Sequence, residues 1–314
     1  MPSIEPELHV VAAVIRDDMG RVLLAQRPQH KRHPLQWEFP GGKVEVGEAP
    51  ADALARELDE ELGVTLHSAS PLIRVTQRYD YGDILLDVYT AGCHGEPHGH
   101  EGQALRWVEI DDLDRYDFPA ANRSVVRRLQ LPERLLITGA ARDEADFMAR
   151  LQRALDHGIR LVQLRLLAQW EGTQRRALLG DAVALCHRHG AKVLVNGSAE
   201  EVEASAADGL HLSAERLLAF DQRPLPATLL LCASCHDERE LAKARELELD
   251  LVLLSPVLPT NSHPGAATLG WEGFASLAAS ASLPVYALGG MSESTLAQAL
   301  ESGGCGIAAI TSWW

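Results

Sequence analysis

Three glutamates in one short segment have types and spacing that could perform metal chemistry. Glu57, Glu60 and Glu61 stand at positions i, i+3 and i+4, so a helix would carry all three carboxylates on one face. Such a face repels itself without a counter-ion, whereas a hard divalent cation prefers oxygen ligands and shares its coordination shell with substrate phosphates. The spacing therefore predicts a site for Mg²⁺, with Mn²⁺ as the alternative ion. A solvated acidic helix face is the competing interpretation.

Residues beside the glutamates fit the same chemistry. Arg56 can orient or balance one carboxylate, which makes it a candidate catalytic residue. Gly41 and Gly42 lack a side chain, and this allows the backbone to approach a metal ion or a phosphate closely. Gly41 is therefore expected at the metal, and Gly41, Gly42 and Lys43 are expected at the substrate.

The elements that must position these residues belong to an α+β domain. Ala49 to Leu62 has a helical pattern, and Gly63 follows it in the position of a left-handed cap. A second, short helix is predicted over Asn122 to Leu129. The predicted strands are His9 to Arg16, Arg21 to Arg27, Leu72 to Tyr79, Leu85 to Tyr89 and Leu105 to Ile110. Because strands and helices do not alternate regularly, residues 1–131 are expected to form an α+β fold.

After Pro132 the pattern changes to short apolar runs separated by segments long enough for helices. The predicted strands are Leu135 to Gly139, Leu161 to Arg165, Lys192 to Asn196, Gly209 to Leu212, Leu229 to Ser234, Leu251 to Val257, Pro284 to Gly290 and Gly306 to Ile310. Eight such units predict parallel strands closed into a (β/α)₈ barrel over residues 132–314. The last helix is expected to be missing, because the sequence ends four residues after the eighth run.

Composition excludes several classes of protein. A formal net charge of −15 over 314 residues disfavours stable binding to nucleic acid. No apolar run is long enough for a membrane span, and no secretory signal or disulfide framework is recognisable, so a cytoplasmic location is expected. Trp313 and Trp314 lie where the missing helix would leave apolar surface. We expect them to pack against the first domain or against a second copy of the chain in a homodimer.

The glutamate segment resembles the Nudix box, G-x5-E-x7-R-E-U-x-E-E-x-G-U, where U is a bulky aliphatic residue. All specified positions are filled, by Gly42, Glu48, Arg56, Glu57, Leu58, Glu60, Glu61, Gly63 and Val64. Nudix enzymes hydrolyse a nucleoside diphosphate linked to a further group. The resemblance implies that Glu57, Glu60 and Glu61 bind Mg²⁺ and that one of them helps to activate water. Glu48 is expected to support the loop.

Further segments are similar to the MutT-type Nudix hydrolases, which act on 8-oxo-dGTP. These segments are WEFPGGK, EGQ and DFPAAN, in the same order as in that family. The resemblance implies that Glu101 is an auxiliary ligand or base and that Asn122 reads the base. It also implies that Phe39 packs on the purine and that Arg27 reaches the nucleotide. The alternatives are a helix N-cap for Asn122, a core position for Phe39 and a surface charge for Arg27.

The chemistry of the oxidised base agrees with the role implied for Asn122. 8-Oxoguanine presents an N7–H donor beside its O6 acceptor, so a fixed carboxamide can pair with both. One departure concerns the hairpin YDYGDI, Tyr79 to Ile84, which is shortened where relatives often carry a further basic residue. A broader nucleotide specificity is therefore the alternative to hydrolysis of 8-oxo-dGTP.

The second half resembles the thiamine-phosphate synthases and the related TenI proteins. The matching segments are LLITG, VQLR, LVN, GLHL, SPVLPT and ALGGM. The implied candidate ligand site consists of Arg165, Asn196, Ser234, Thr260, Gly289 and Gly290. Functional positions of the synthases are replaced here by Leu167, Gly197, Arg216 and His263. Without the metal carboxylates and the lysine, synthase activity is not expected. A thiamine-pathway enzyme and a ligand-sensing module remain the alternatives for the barrel.

Overall fold

The computed structural model describes residues 8–166, 169–260, 265 and 267–314. These residues form two compact units, which divide between Gln130 and Leu131, one residue before the predicted boundary. Leu167 and His263 fall outside the described residues. A membrane-spanning helix is not found in the described ranges, where every helix is too short or too polar for that role. All five cysteines are free thiols, as expected.

The first unit has the predicted α+β fold. Its strands are β1 (Leu8–Ile15), β2 (Val22–Gln26), β3 (Trp37–Glu38), β4 (Gly41–Lys43), β5 (Thr65–Tyr79), β6 (Gly82–His94) and β7 (Leu105–Val108), and its helices are α1 (Pro50–Leu62) and α2 (Ala120–Gln130). A four-stranded sheet has the order β4-β1-β6-β5, with β1 and β6 parallel. A smaller antiparallel sheet has the order β3-β2-β7. A 3₁₀ helix, Ile110–Arg115, precedes α2.

Alternation along β1 builds a core on each face of the larger sheet. Val11 and Ala13 pack into a cluster with the buried leucines of α1. Ala12 and Val14 point the other way and pack with Val125 of α2. Successive side chains of a strand lie on opposite faces, so this single apolar strand anchors both helices.

Helix α1 is specified by local signals. Pro50 stands in its first turn, where a missing N–H costs nothing. Leu54, Leu58 and Leu62 recur every four residues and are fully buried. Gly63 ends the helix with φ 67°, in the left-handed conformation. Burying the leucine stripe turns the opposite part of the helix, with its glutamates, away from the core.

The hairpin of β5 and β6 is longer than predicted. Its strands have 15 and 13 residues, whereas the apolar runs indicated only Leu72 to Tyr79 and Leu85 to Tyr89. The residues added to β5 are mostly exposed, and β-bulges interrupt the ladder near Leu66 and Pro71. Backbone pairing therefore continues beyond the part of the hairpin that hydrophobic burial specifies.

The second unit is the predicted closed barrel of eight parallel strands, paired in chain order. The strands are β8 (Arg134–Ile137), β9 (Leu161–Leu164), β10 (Lys192–Val195), β11 (Gly209–Leu212), β12 (Leu230–Cys235), β13 (Leu251–Leu254), β14 (Val285–Leu288) and β15 (Gly306–Ala309). The helices are α3 (Glu144–Asp156), α4 (Gly172–Arg188), α5 (Ala199–Ser205), α6 (Ala214–Ala219), α7 (Glu238–Glu246), α8 (Gly270–Ala281) and α9 (Leu296–Glu301), with a 3₁₀ turn at Glu293–Thr295. No helix follows β15 within the described residues up to Trp314.

Trp313 and Trp314 pack against the barrel. Trp314 packs edge-on against Phe147 of α3, with ring centroids 4.9 Å apart. Its indole Nε1 donates a hydrogen bond of 2.9 Å to the Ala140 carbonyl. Trp313 also packs against the outer barrel core. Both side chains therefore have partners within the barrel itself, rather than only on another surface as expected.

Candidate active site

A cavity of about 1200 Å³ opens in the first unit. It gathers nearly all of the residues that the sequence singled out for chemistry there. Those lining it are Arg27, Phe39, Gly41, Gly42, Lys43, Arg56, Glu57, Glu61, Glu101 and Asn122. Glu60 is the exception, because its side chain is 60% exposed and does not line the cavity.

Arg56 fastens the loop before α1 to the helix. Its guanidinium donates two hydrogen bonds of 3.0 Å to Glu48, one of 2.9 Å to Glu57 and one of 2.9 Å to the Lys43 carbonyl. A further bond of 3.2 Å reaches Glu60. The hydrogen bond from Arg56 lowers the pKa of Glu48, which stays ionised and supports the loop.

Gly41 is required by a close approach to the backbone of β1, and Gly42 leaves room for the Glu57 side chain. A Cβ atom at Gly41, which has φ 151°, would lie 2.1 Å from the Val11 carbonyl oxygen. A Cβ atom at Gly42 would lie 2.1 Å from the carboxyl carbon of Glu57. The Gly41 N–H points at Glu61, with 3.4 Å between the nitrogen and Oε2. The two glycines thus let β4 lie directly against the carboxylates of α1.

The remaining acidic groups meet deeper in the cavity. Burial and the nearby negative charges of Glu38 and Glu101 raise the pKa of Glu61 to about 7. Burial also raises the pKa of Glu38, against the effect of Arg27, which forms an ion pair with it. This cluster is short of positive charge, and its donors are hard oxygens. The donor set therefore fits Mg²⁺ or Mn²⁺ in its chemistry.

The three glutamates of α1 are divided between two groups of contacts. Glu57 and Glu60 accept hydrogen bonds from Arg56, whereas Glu61 lies near Glu38 and Glu101. Within the part of the chain that the structure describes, no three His, Cys, Asp or Glu side chains already surround one point as a metal site. Their position on one helix thus brings the carboxylates to the same region without arranging them around one ion.

Asn122 also lines the cavity and is 7% exposed. Helix α2 begins at Ala120, so Asn122 is in its first turn and the N-cap alternative is wrong. The backbone N–H of Asn122 donates to the Pro119 carbonyl at 2.9 Å. Its carboxamide makes no hydrogen bond to the described residues. A buried carboxamide without a partner can pair with a ligand at low cost.

Phe39 and Arg27 have partners inside the protein. Phe39 is 2% exposed and stacks on Phe118, with centroids 5.8 Å apart, so it is a core residue that also borders the cavity. Arg27 pairs with Glu38, and its Nε donates to the Arg32 carbonyl at 2.8 Å. Both side chains therefore already have partners, and a nucleotide would have to share or displace them.

Comparison with known proteins agrees with the division into two units. A family model described as the NUDIX domain matches residues 7–129. A second, described as thiamine monophosphate synthase, matches residues 135–312, more than half of the chain. The chain belongs to both families. Its first unit is a Nudix hydrolase, and its second unit has the fold of the synthase family.

Three relatives illustrate the likeness. An 8-oxo-dGTP diphosphatase of Haemophilus influenzae is 40% identical over 123 residues, which are 39% of this chain and 90% of that protein. A CTP pyrophosphohydrolase of Escherichia coli is 39% identical over 117 residues, 37% of this chain and 85% of that protein. For the barrel, a putative thiamine-phosphate synthase of Geobacter sulfurreducens is 34% identical over 171 residues, 53% of this chain and 78% of that protein.

The Nudix unit also has cavity residues that sequence reasoning missed. Tyr79 and Tyr81 stack with centroids 5.0 Å apart, and the Arg32 guanidinium lies 3.9 Å from the centre of the Tyr81 ring. His33 Nε2 is 3.1 Å from the Tyr81 hydroxyl, and Lys31 forms a 2.9 Å ion pair with Glu101. The turn of the β5–β6 hairpin therefore meets a cation from the β2–β3 loop. The basic run was visible in the sequence, but no periodicity indicated where it would lie.

In the barrel, two of the predicted ligand-site residues border a buried polar group. His211 Nε2 lies 3.1 Å from the Ser234 hydroxyl. Burial lowers the pKa of His211 to about 3, so this imidazole is neutral. Gln163 Oε1 and Arg165 Nε are buried without a hydrogen-bond partner in the described ranges. Gln163 is 2% exposed, and its place in β9 turns it to the barrel interior with Leu161.

The other predicted barrel residues lie at the ends of strands. Asn196 directly follows β10, and Thr260 lies six residues after β13. Gly289 and Gly290 follow β14, and a Cβ atom at either would lie 3.0 Å or less from atoms of residues 256–259. Tight packing therefore explains both glycines. His236 is exposed, and its Nδ1 lies 2.6 Å from the Ser255 carbonyl oxygen.

Proposed function

We propose that the Nudix unit is a Mg²⁺-dependent pyrophosphohydrolase that converts 8-oxo-dGTP to 8-oxo-dGMP and diphosphate. The observation that carries the proposal is one cavity with a carboxylate cluster and, separately on its wall, the unpaired carboxamide of Asn122. Such an activity would remove oxidised nucleotides before they enter DNA, and so serve replication and repair.

At the acidic part of the cavity, Glu57 and Glu61 are the residues that would hold the cation, with Gly41, Glu60 and Glu101 as further ligands. Mn²⁺ would serve the same donors. When bound, the cation neutralises phosphate charge and stabilises the leaving diphosphate. Arg56 keeps Glu57 in place through the 2.9 Å hydrogen bond, and Lys43 offers a cation at the rim. Glu61 or Glu101 would take the proton of the attacking water.

At the base, the Asn122 carboxamide would accept from N7–H of 8-oxoguanine and donate to O6. Guanine has an acceptor at N7, so its binding would leave a buried group unpaired. That mismatch costs about 1–3 kcal/mol. The 7% exposure of Asn122 supports this role, since water would otherwise compete for the same groups.

The proposal is tested by measuring kcat/KM for 8-oxo-dGTP, dGTP and CTP with Mg²⁺. We expect 8-oxo-dGTP to exceed both others by at least about tenfold, in line with the cost of one mismatched polar contact. Equal values for the three substrates would support the broader-specificity alternative. A preference for CTP would reject the proposed role of Asn122 and favour the chemistry named for the E. coli relative.

For the barrel we infer a second function, binding of a phosphorylated heterocycle without synthase chemistry. The unpartnered Gln163 Oε1 and Arg165 Nε support a ligand, because buried polar atoms are almost always paired. A Cβ atom at Gly197 would lie 1.9 Å from the Glu201 carboxylate, so an aspartate there would require Glu201 to move from Arg175 and Ser198. Calorimetry with thiamine phosphate and a phosphorylated thiazole tests this function. Binding that persists in Arg165→Met would contradict it.

A further inference from the structure

The loop between β6 and β7 is fastened to the C-terminal turn of α1. The backbone N–H of His98 donates to the Leu62 carbonyl, and that of His100 donates to the Glu61 carbonyl, each at 3.0 Å. The last carbonyls of a helix lack partners within the helix, so these bonds stabilise its end. The histidine-rich segment thus acts here as a cap on α1, and it leads directly to Glu101.

Gln103 completes this attachment with both ends of its carboxamide. Its Nε2 donates to the Glu61 carbonyl at 3.0 Å, and its Oε1 accepts from the Glu101 N–H at 2.9 Å. The turn that allows this depends on Gly99, where a Cβ atom would lie 2.3 Å from the Gln103 carbonyl oxygen. Gly102 has φ 77°, which glycine adopts without strain. One half-buried side chain therefore ties together the backbones of two acidic residues.

Those two residues would separate if nothing held them. Glu61 and Glu101 carry like charges, and the presence of Glu101 is one cause of the raised pKa of Glu61. The Lys31 ammonium, which pairs with Glu101 at 2.9 Å, approaches from an exposed loop. It cannot fix the backbone from which Glu101 projects. The bridge through Gln103 opposes the repulsion at the level of the main chain, together with the hydrogen bond from the His100 N–H to the Glu61 carbonyl.

We propose that Gln103 is a positioning residue that sets the separation of Glu61 and Glu101 and, through it, the affinity of the cavity for a divalent cation. The inference rests on the proposed function, because it assumes that these carboxylates hold the cation. Gln103 does not itself line the cavity. Its effect is therefore on metal affinity and kcat rather than on recognition of the base.

The test uses the full chain with Gln103→Met, which keeps the length of the side chain and removes both hydrogen bonds. Mn²⁺ binding is measured by electron paramagnetic resonance, and kcat and KM are measured with Mg²⁺. We expect the Mn²⁺ Kd to rise by about tenfold, as is usual when an outer partner of a metal ligand is lost. The value of kcat falls by a similar factor, while selectivity among nucleotides stays unchanged.

A matched control is Gln130→Met. Gln130 has similar exposure and also bridges elements, donating to the Ile110 carbonyl at 3.3 Å and to Asp114 at 3.0 Å. It does not line the cavity. We expect this variant to lower the melting temperature without changing the Mn²⁺ Kd. If Gln103→Met fails to fold, Gln103→Asn keeps the carboxamide but is too short to form both bonds, and the same rise in Kd is expected.

A double-mutant cycle with Glu101→Gln separates positioning from general loosening of the loop. If Gln103 acts by placing Glu101, the effect of Gln103→Met on the Mn²⁺ Kd shrinks to about twofold or less when Glu101 is already neutral. The proposal is overturned by additive effects, or by a folded Gln103 variant whose Kd and kcat lie within twofold of wild type. A wild-type protein that binds no Mn²⁺ would instead reject the proposed function.

Discussion

The Nudix cavity and the interior of the barrel differ in whether their polar side chains have partners within the protein. In the cavity, the carboxylates have defined partners or neighbours, and Arg56 alone contacts Glu48, Glu57 and Glu60. Among the described residues of the barrel, Gln163 and Arg165 have buried atoms without hydrogen-bond partners, and a Cβ atom at Gly197 would lie 1.9 Å from the Glu201 carboxylate. The fold of both units is intact. Function therefore has to be argued from each site, because a fold alone does not carry it.

The largest expected effect concerns the carboxylates of the Nudix cavity. Glu57→Gln or Glu61→Gln should reduce kcat by at least about a hundredfold, because each removes charge where the cation stabilises the reacting phosphates. Glu60→Gln is the matched comparison, since Glu60 is mostly exposed and outside the cavity. Its effect should be clearly smaller. Activity of Glu57→Gln within about tenfold of wild type with Mg²⁺ would reject the metal assignment.

Much of this cavity could be predicted because its signals are local. The spacing of the glutamates, Gly63 as a cap and the leucine stripe all lie within one helix, where periodicity determines the exposed face. The division of Glu60 from Glu61 was not predictable. It depends on which carboxylate Arg56 reaches and on the neighbours that other strands supply.

Contacts between loops that are distant in the sequence were also not predictable, because they depend on the tertiary arrangement. Lys31 meets Glu101, and Arg32 meets Tyr81, only because the β2–β3 loop lies beside both the β6–β7 loop and the turn of the β5–β6 hairpin. In the barrel the strands were predictable as apolar runs. It was not predictable whether Gln163 would have a hydrogen-bond partner, because buried amides with and without partners have the same pattern in the sequence.

The next prediction concerns the base-reading residue. Asn122→Ala should lower the ratio of kcat/KM for 8-oxo-dGTP over dGTP by about tenfold, within the 1–3 kcal/mol expected for one buried polar contact. Hydrolysis of dGTP itself should change much less, because Asn122 lies away from the carboxylates. Steady-state kinetics on both substrates provide the measurement. An unchanged ratio would mean that the Asn122 carboxamide does not read the base.

On the barrel side, Gly197→Asp tests whether the missing carboxylate could simply be restored. The new Cβ atom would lie 1.9 Å from Glu201, which is held by Arg175 and caps α5 through Ser198. Forcing these groups apart should cost about 1–3 kcal/mol of the free energy of unfolding. Urea titration measures the loss, with Gly180→Ala as a control at a glycine that has no close neighbour. A variant as stable as wild type would show that the site had room after all.

The smallest expected effect concerns the mouth of the Nudix cavity, where Arg32 supplies a cation to the turn of the β5–β6 hairpin. Its guanidinium is held over Tyr81 at 3.9 Å and has no ion-pair partner among the described residues. Arg32→Met should raise KM for the nucleotide by about two- to fivefold with little change in kcat, since an exposed cation–π contact is worth about 0.5–1 kcal/mol. Arg78→Met is the control, because Arg78 lies on the same hairpin but pairs with Asp83 and does not line the cavity. Equal KM values for the two variants would mean that Arg32 merely covers Tyr81. A rise in KM for Arg32→Met but not for Arg78→Met would mean that Arg32 contributes to nucleotide binding.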